Sequence, residues 1–289
     1  MPHSTRPKRP NPSTQKRLQV TDDNGWTHVT TGNNARRTMR GTKSSKNAVS
    51  SEEQGTTEAR DRDLEPVLSP AEAPGRLTLE ELQRQYAAHR EQWTGSSTWI
   101  KLEKILDEKI QALLVRTESE SESESKSKSV DVDVDVDRIV CIGLGSPSGF
   151  LRDGWVDRRS VSMYQLAALE RIKERFAAHF TSIPVYAQDP VFNNLDRALL
   201  EGMGITVVED PVGFESVTRN TLLFCPGAER KHLELVLPSN PGLVFGGPLE
   251  NTESEVIEKF VGKMQSRALE PFTCNEHAFW MTRLYFRDN

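Results

Sequence analysis

Cysteine is scarce in this chain, which has only Cys141, Cys225 and Cys274 among its 289 residues. The three lie far apart and form no CxxC pair, so the spacing of a zinc site or of a disulfide framework is absent. Cys141 and Cys225 both lie in apolar runs, where a thiol acts as a small buried hydrophobic group. This usage is typical of a reducing compartment, and we expect no metal site.

Long hydrophobic runs are missing as well. The sequence has no stretch of about 18 apolar residues, so we expect no segment that spans a membrane. The first twelve residues are basic and rich in proline, and they lack the apolar region of a secretory signal. These absences predict a protein of the cytoplasm, the nucleus or both.

Apolar residues make up only 36% of the chain, which is low for a fully folded protein. Charge is unevenly placed: residues 1–50 carry ten Lys and Arg against two Asp and Glu, whereas residues 51–137 carry eleven against twenty-one. Residues 138–289 are nearly neutral, so nucleic-acid binding by the folded part is not expected. We therefore predict one folded domain of about 150 residues behind long polar segments.

The polar segments differ in composition. Residues 1–75 are predicted to be disordered, because they cannot bury enough apolar surface to offset the entropy lost on ordering. The island Trp26-Thr27-His28-Val29 interrupts this tail and is either a docking motif or an incidental aromatic residue. Residues 117–137 alternate Ser with Glu or Lys and then Val with Asp, which predicts an extended linker that leads into a strand.

Residues 76–116 are predicted to form two helices. Thr78 and Glu81 make a capping box, in which each side chain satisfies an otherwise unpaired backbone N–H. Apolar residues then recur at helical spacing, with a turn at Gly95-Ser96. Two interpretations stay open: the helices pack on the main domain, or they bind a protein partner.

From residue 138 onwards, short apolar strands alternate with amphipathic helices. Strands are predicted at residues 139–142, 184–187, 205–208, 221–225, 242–245 and 280–287. Such alternation implies right-handed crossovers and a mostly parallel sheet. Residues 138–289 are therefore predicted to form a Rossmann-like three-layer α/β domain, preceded by two helices and a disordered N-terminal region.

Ligands of open α/β sheets bind at the carboxyl ends of the strands. The residues predicted at these ends are the candidate ligand-binding set: Gly143, Gly145, Ser146, Gln188, Asp189 and Asp210. The glycines allow the backbone to approach a ligand closely, but the loop lacks the third glycine and the acidic spacing of a dinucleotide fingerprint. Alternatives stay open for both elements. The glycines either line a site or only form a tight turn. Asp189 either binds a ribose hydroxyl, or caps the following helix or fixes the turn at Pro190.

No catalytic residue is predicted. His179, His232 and His277 are scattered, and neither a metal-binding pair of histidines nor a Ser-His-Asp order is present. No Walker lysine follows the glycines, which excludes a P-loop. The cofactor, if any, is not identified, although a site for S-adenosylmethionine fits the glycine loop better than a site for NAD.

Three blocks follow successive strands: residues 142–146 (Ile-Gly-Leu-Gly-Ser), 187–192 (Ala-Gln-Asp-Pro-Val-Phe) and 208–214 (Val-Glu-Asp-Pro-Val-Gly-Phe). This series resembles the SRR-like (sensitivity to red light reduced) family, in particular its fungal branch. The Trp26 island is similar to the short N-terminal motif of that family, and residues 282–287 are similar to its closing strand. The Gln-Asp-Pro block is the most specific of these elements.

The chain departs from the family pattern at three places. Many relatives have Tyr where Gln188 stands, His where the chain has Gly227-Ala228, and Asn where it has Gly247. The resemblance implies a regulatory role, since relatives are associated with circadian, light or haem-related regulation. We expect a regulatory protein that binds a protein partner, through its N-terminal tail or helices, or a small nucleotide-like ligand. The alternative is an enzyme with a nucleotide-type cofactor, namely a transferase that uses S-adenosylmethionine.

Overall fold

The structure is a computed structural model that describes residues 18–21, 27–30, 69–121, 136–150, 157–180, 183–250 and 252–287. A hairpin near the N-terminus forms a unit of its own. Its strands, β1 (Leu18–Thr21) and β2 (Thr27–Thr30), are antiparallel. The hairpin falls in the stretch predicted to be disordered. Trp26 lies outside the described residues.

The main unit is an α/β domain built on a seven-stranded, mostly parallel sheet. Its strands are β3 (Arg138–Ile142), β4 (Val185–Gln188), β5 (Thr206–Val207), β6 (Thr221–Cys225), β7 (Leu243–Gly246), β8 (Gln265–Ala268) and β9 (Arg283–Phe286). The order across the sheet is β5-β4-β3-β6-β7-β9-β8. Strands β3 to β7 are parallel, and β8 and β9 are antiparallel additions at one edge.

The helices are α1 (Leu79–Thr94), α2 (Ser97–Ser121), α3 (Arg158–Ala177), α4 (Asn194–Gly202), α5 (Val212–Glu215), α6 (Arg230–Val236) and α7 (Glu255–Val261). Strand side chains alternate between two apolar cores, because successive residues of a strand point to opposite faces. In β3, Ile139 and Cys141 face the core formed with α1 to α4. Val140 and Ile142 face the core formed with α6 and α7. None of the described helices is long and apolar enough to cross a membrane.

The helix pair α1 and α2 packs on α3, which confirms the sequence interpretation that the helices pack on the main domain. Trp93 is fully buried, with its ring centroid 4.5 Å from that of Phe279. Polar contacts surround this aromatic cluster: Tyr86 donates a 2.6 Å hydrogen bond to Glu170, and the Arg90 guanidinium lies 2.8 Å from Glu174. Burial, together with the Glu170 carboxylate, raises the pKa of Tyr86, so the phenol stays protonated and acts as the donor.

Several predicted elements differ from the observed ones. Strand β8 was not predicted, because its sequence Gln-Ser-Arg-Ala shows no apolar alternation. Helix α2 continues to Ser121, five residues into the predicted linker, since Glu is a good helix former and adding a residue to an existing helix costs little. The predicted last strand is shortened to Arg283–Phe286, and a 3-10 turn (Glu276–Phe279) precedes it.

Candidate functional site

All six candidate residues lie at the end of the sheet where the parallel strands finish, which we call the carboxyl edge. Chain order reverses between β3 and β6, since β4 and β5 lie on one side of β3 and β6 and β7 on the other. Open α/β sheets bind ligands at this reversal. The loops that follow β3 and β6 are therefore the part of this edge where a ligand would bind.

These two loops contact each other through their backbones. Gly143 has a φ of +75°, in the left-handed region that favours glycine. A Cβ on Gly143 would lie 2.8 Å from the Ala228 nitrogen, and a Cβ on Gly227 would lie 2.4 Å from the Gly143 oxygen. Both glycines are therefore required by the contact between the loops, and no gap for a ligand separates the loops at this point.

Gly145 and Asp189 are brought together, as the sequence predicted, but they bind each other. The Gly145 N–H donates a 2.8 Å hydrogen bond to one Asp189 carboxylate oxygen, and the Val191 N–H donates a 3.0 Å bond to the other. Burial raises the pKa of Asp189, while the two N–H groups oppose the shift. A Cβ on Gly145 would lie 2.5 Å from the Ser162 hydroxyl of α3, so its small size also serves helix packing.

Gln188 links the loops that follow β4 and β5. Its amide oxygen accepts a 2.7 Å hydrogen bond from the Gly213 N–H, and its amide nitrogen donates a 3.1 Å bond to Asp210. The Gln188 side chain is buried, whereas Asp210 is exposed. The block resembling the family thus positions the start of α5, and Asp210 presents its remaining surface to solvent.

Ser146 belongs to a buried polar network centred on Asp196, a residue that the candidate set did not include. The Asp196 side chain is 0% exposed. It accepts hydrogen bonds from the Ser146 hydroxyl at 2.5 Å, the Ser148 N–H at 2.8 Å and the Asn193 N–H at 3.1 Å. The sequence signal was the capping-box pattern Asn193-x-x-Asp196 at the start of α4.

The segment that precedes α1 also reaches the carboxyl edge. The Ala71 N–H donates a 2.9 Å hydrogen bond to the Val191 oxygen, and the Phe150 N–H donates a 3.1 Å bond to the Glu72 oxygen. These bonds tie the segment to the loops that follow β3 and β4. Part of the tail that was predicted to be disordered is thus an ordered segment beside the candidate site.

Gly247, in the loop that follows β7, lies beside a buried tyrosine. Gly247 has a φ of +98°, and a Cβ there would lie 2.9 Å from the Tyr285 hydroxyl. That hydroxyl accepts from the Leu249 N–H at 2.9 Å and donates to Glu250 at 2.7 Å. Burial raises the pKa of Tyr285. The loop after β7 is therefore also organised by internal hydrogen bonds.

The fold and the carboxyl edge together define the class of protein. It is an α/β domain with a mostly parallel sheet, a packed helix pair and a carboxyl edge whose loops are joined by internal hydrogen bonds. Comparison with models of known families matches residues 104–286 to the SRR1 domain. The chain belongs to the SRR1 domain family, which confirms the resemblance read from the sequence. The match begins within α2, upstream of residue 138. No curated protein and no solved structure matches the chain significantly.

Proposed function

We propose that this SRR1 domain protein is a regulatory binding module whose carboxyl edge contacts a protein partner and carries no nucleotide-type cofactor. One observation carries the proposal: the groups that would hold a cofactor are bound to each other. The strand order β5-β4-β3-β6-β7 is that of a Rossmann-like fold, so the same edge can be compared directly with a dinucleotide site.

In a dinucleotide site, the backbone N–H groups of the glycine loop point at the pyrophosphate. Here the Gly145 N–H is 2.8 Å from the Asp189 carboxylate, which is the natural competitor of a phosphate for that donor. An incoming phosphate would have to displace Asp189 and would meet its negative charge. The acidic residue that could have accepted a ribose hydroxyl instead closes the loop.

An exposed surface that we assign to the partner lies beside this closed loop. Val212 is 46% exposed at the start of α5, next to the exposed Asp210. The neighbouring Phe214 ring stacks on His232 of α6 with their centroids 5.4 Å apart. An apolar group beside a carboxylate on a rigid, hydrogen-bonded loop suits contact with a protein surface.

The test combines a cofactor assay with a partner assay on the full chain. Native mass spectrometry and titration with S-adenosylmethionine and NAD should detect no complex. Capture from cell extract should yield a partner that is lost from Val212→Asp and retained by Leu235→Asp. Leu235 is the matched control, because it is 64% exposed and lies at the far end of α6. Retention of a ligand of nucleotide mass would favour the transferase instead.

A further inference from the structure

Residues 69–74, which we call the strap, reach the carboxyl edge and pair with it through main-chain groups. The Ala71 N–H donates to the Val191 oxygen at 2.9 Å, and the Glu72 oxygen accepts from the Phe150 N–H at 3.1 Å. Glu72 and Phe150 form an isolated antiparallel bridge. The side-chain amide of Asn193 donates to the Ala71 oxygen at 3.0 Å.

The strap buries a single side chain in a small slot. Ala71 is 7% exposed, whereas residues 69, 70 and 72 are exposed. A Cβ on Gly149 would lie 2.5 Å from the Ala71 Cβ, so Gly149 forms the floor of the slot and Ala71 fills it. The slot therefore accepts a small side chain and excludes a large one.

The sequence of the strap explains its extended path. Pro70 and Pro74 flank the three central residues, and a residue that precedes proline is held in the extended region. Because proline has no N–H, main-chain pairing cannot continue beyond this short stretch. Main-chain pairing with a pocket for one side chain is how extended peptides bind by strand addition.

We propose that the slot formed by residues 149–150 and 191–193 is a binding site for an extended peptide, which the strap occupies in cis. The partner that binds in this slot is a protein segment with a small residue between two nearby prolines, of the type Pro-Ala-x-x-Pro. This inference rests on the proposed function and names the chemistry of the partner. Ala71 is the one buried side chain of the strap, and segments that bury few apolar side chains open most easily. Partner binding thus requires the strap to leave.

The test measures binding of a fluorescent peptide of residues 68–76 to the full chain by anisotropy. In the Ala71→Trp variant, the indole cannot enter the slot and the strap is expelled. The peptide should then bind at least about tenfold more tightly than to the wild type, because cis occupancy reduces the apparent affinity by the fraction of open molecules. Ala71→Ser keeps a small side chain and should behave as the wild type.

Two further variants locate the binding to the slot. A peptide with Trp in place of its Ala should not bind to the expelled-strap variant. Asn193→Ser, added to Ala71→Trp, keeps a capping side chain for α4 but removes the amide donor, and should weaken binding. In the wild type, excess peptide should accelerate hydrogen exchange at residue 71 of the chain, whose N–H bonds to Val191. This readout does not depend on a variant folding correctly.

Equal peptide affinity of the wild type and Ala71→Trp, without accelerated exchange, would overturn the proposal. A concentration-dependent dimer of the wild type that exchanges straps would also overturn it, because the site would then serve self-association. Adding S-adenosylmethionine or NAD to the same assay distinguishes a failure of the slot assignment from a failure of the proposed function. If neither nucleotide nor peptide binds, only the slot assignment fails; if a nucleotide binds, the proposed function fails.

Discussion

The buried carboxylate of Asp196 allows the organisation of the carboxyl edge to be tested by single substitutions. It accepts three hydrogen bonds, from Ser146, Ser148 and Asn193, and none of its surface is exposed. Asp196→Ala leaves these three donors without an acceptor. A buried donor that loses its partner costs about 1–3 kcal/mol. The Ser146 hydroxyl can rotate and so regain part of the free energy of its lost hydrogen bond. We expect a loss of about 3–5 kcal/mol in the free energy of unfolding.

A loss of this size is large, because a typical domain is stable by only about 5–15 kcal/mol. Asp196→Asn keeps the shape but replaces one accepting oxygen by an amide donor. It should cost about 1–3 kcal/mol, since one of the three donors loses its acceptor. Ser146→Ala leaves the carboxylate with two donors and also removes the acceptor of the Gly149 N–H, which lies 2.8 Å from the Ser146 hydroxyl. Its cost should therefore be about 2–3 kcal/mol.

The measurement is urea unfolding followed by circular dichroism, with Glu201→Ala as the control. Glu201 lies on the same helix and is exposed, so its replacement should change stability by less than about 0.5 kcal/mol. Hydrogen exchange at residues 148 and 149 should also accelerate in Asp196→Ala. A loss below about 1 kcal/mol in that variant would refute the view that this network organises the edge.

Three further predictions concern neighbouring positions. Gly143→Ala should destabilise by at least about 2 kcal/mol, because left-handed backbone disfavours alanine and the Ala228 backbone cannot yield; an unchanged melting temperature would contradict this. Tyr86→Phe should cost about 1 kcal/mol in urea unfolding by removing the donor to Glu170, and it should hasten proteolysis between α1 and α3; no change in either would be evidence against the contact. Burial raises the pKa of Asp189, so the native state binds its proton more tightly than the unfolded state. Its contribution to stability is therefore greatest below the ordinary value of 3.8 and falls as pH rises through the raised native pKa; Asp189→Asn should abolish this decline in urea unfolding at pH 3.5–7, and parallel profiles would refute it.

The sequence was sufficient for most of the parallel sheet. Strand β6 was predicted at its observed bounds, and β3, β4 and β7 within one residue. These strands are buried on both faces, so their apolar runs are continuous and local. The edge strand β8 has mostly exposed residues and left no such pattern. Its pairing with β9 comes from the fold, not from its composition.

The candidate site shows the same division. Strand ends and turn residues are local features, so the sequence by itself determined that Gly143, Gly145, Gln188 and Asp189 gather at one edge. Only the tertiary structure decided what they contact. Gly145 and Asp189 are 44 residues apart and Ser146 and Asp196 are 50 apart, and no local pattern records such partners. The free energy of these hydrogen bonds depends on burial and approach in three dimensions, which is why a glycine loop that reads as a ligand site closes on its own carboxylate.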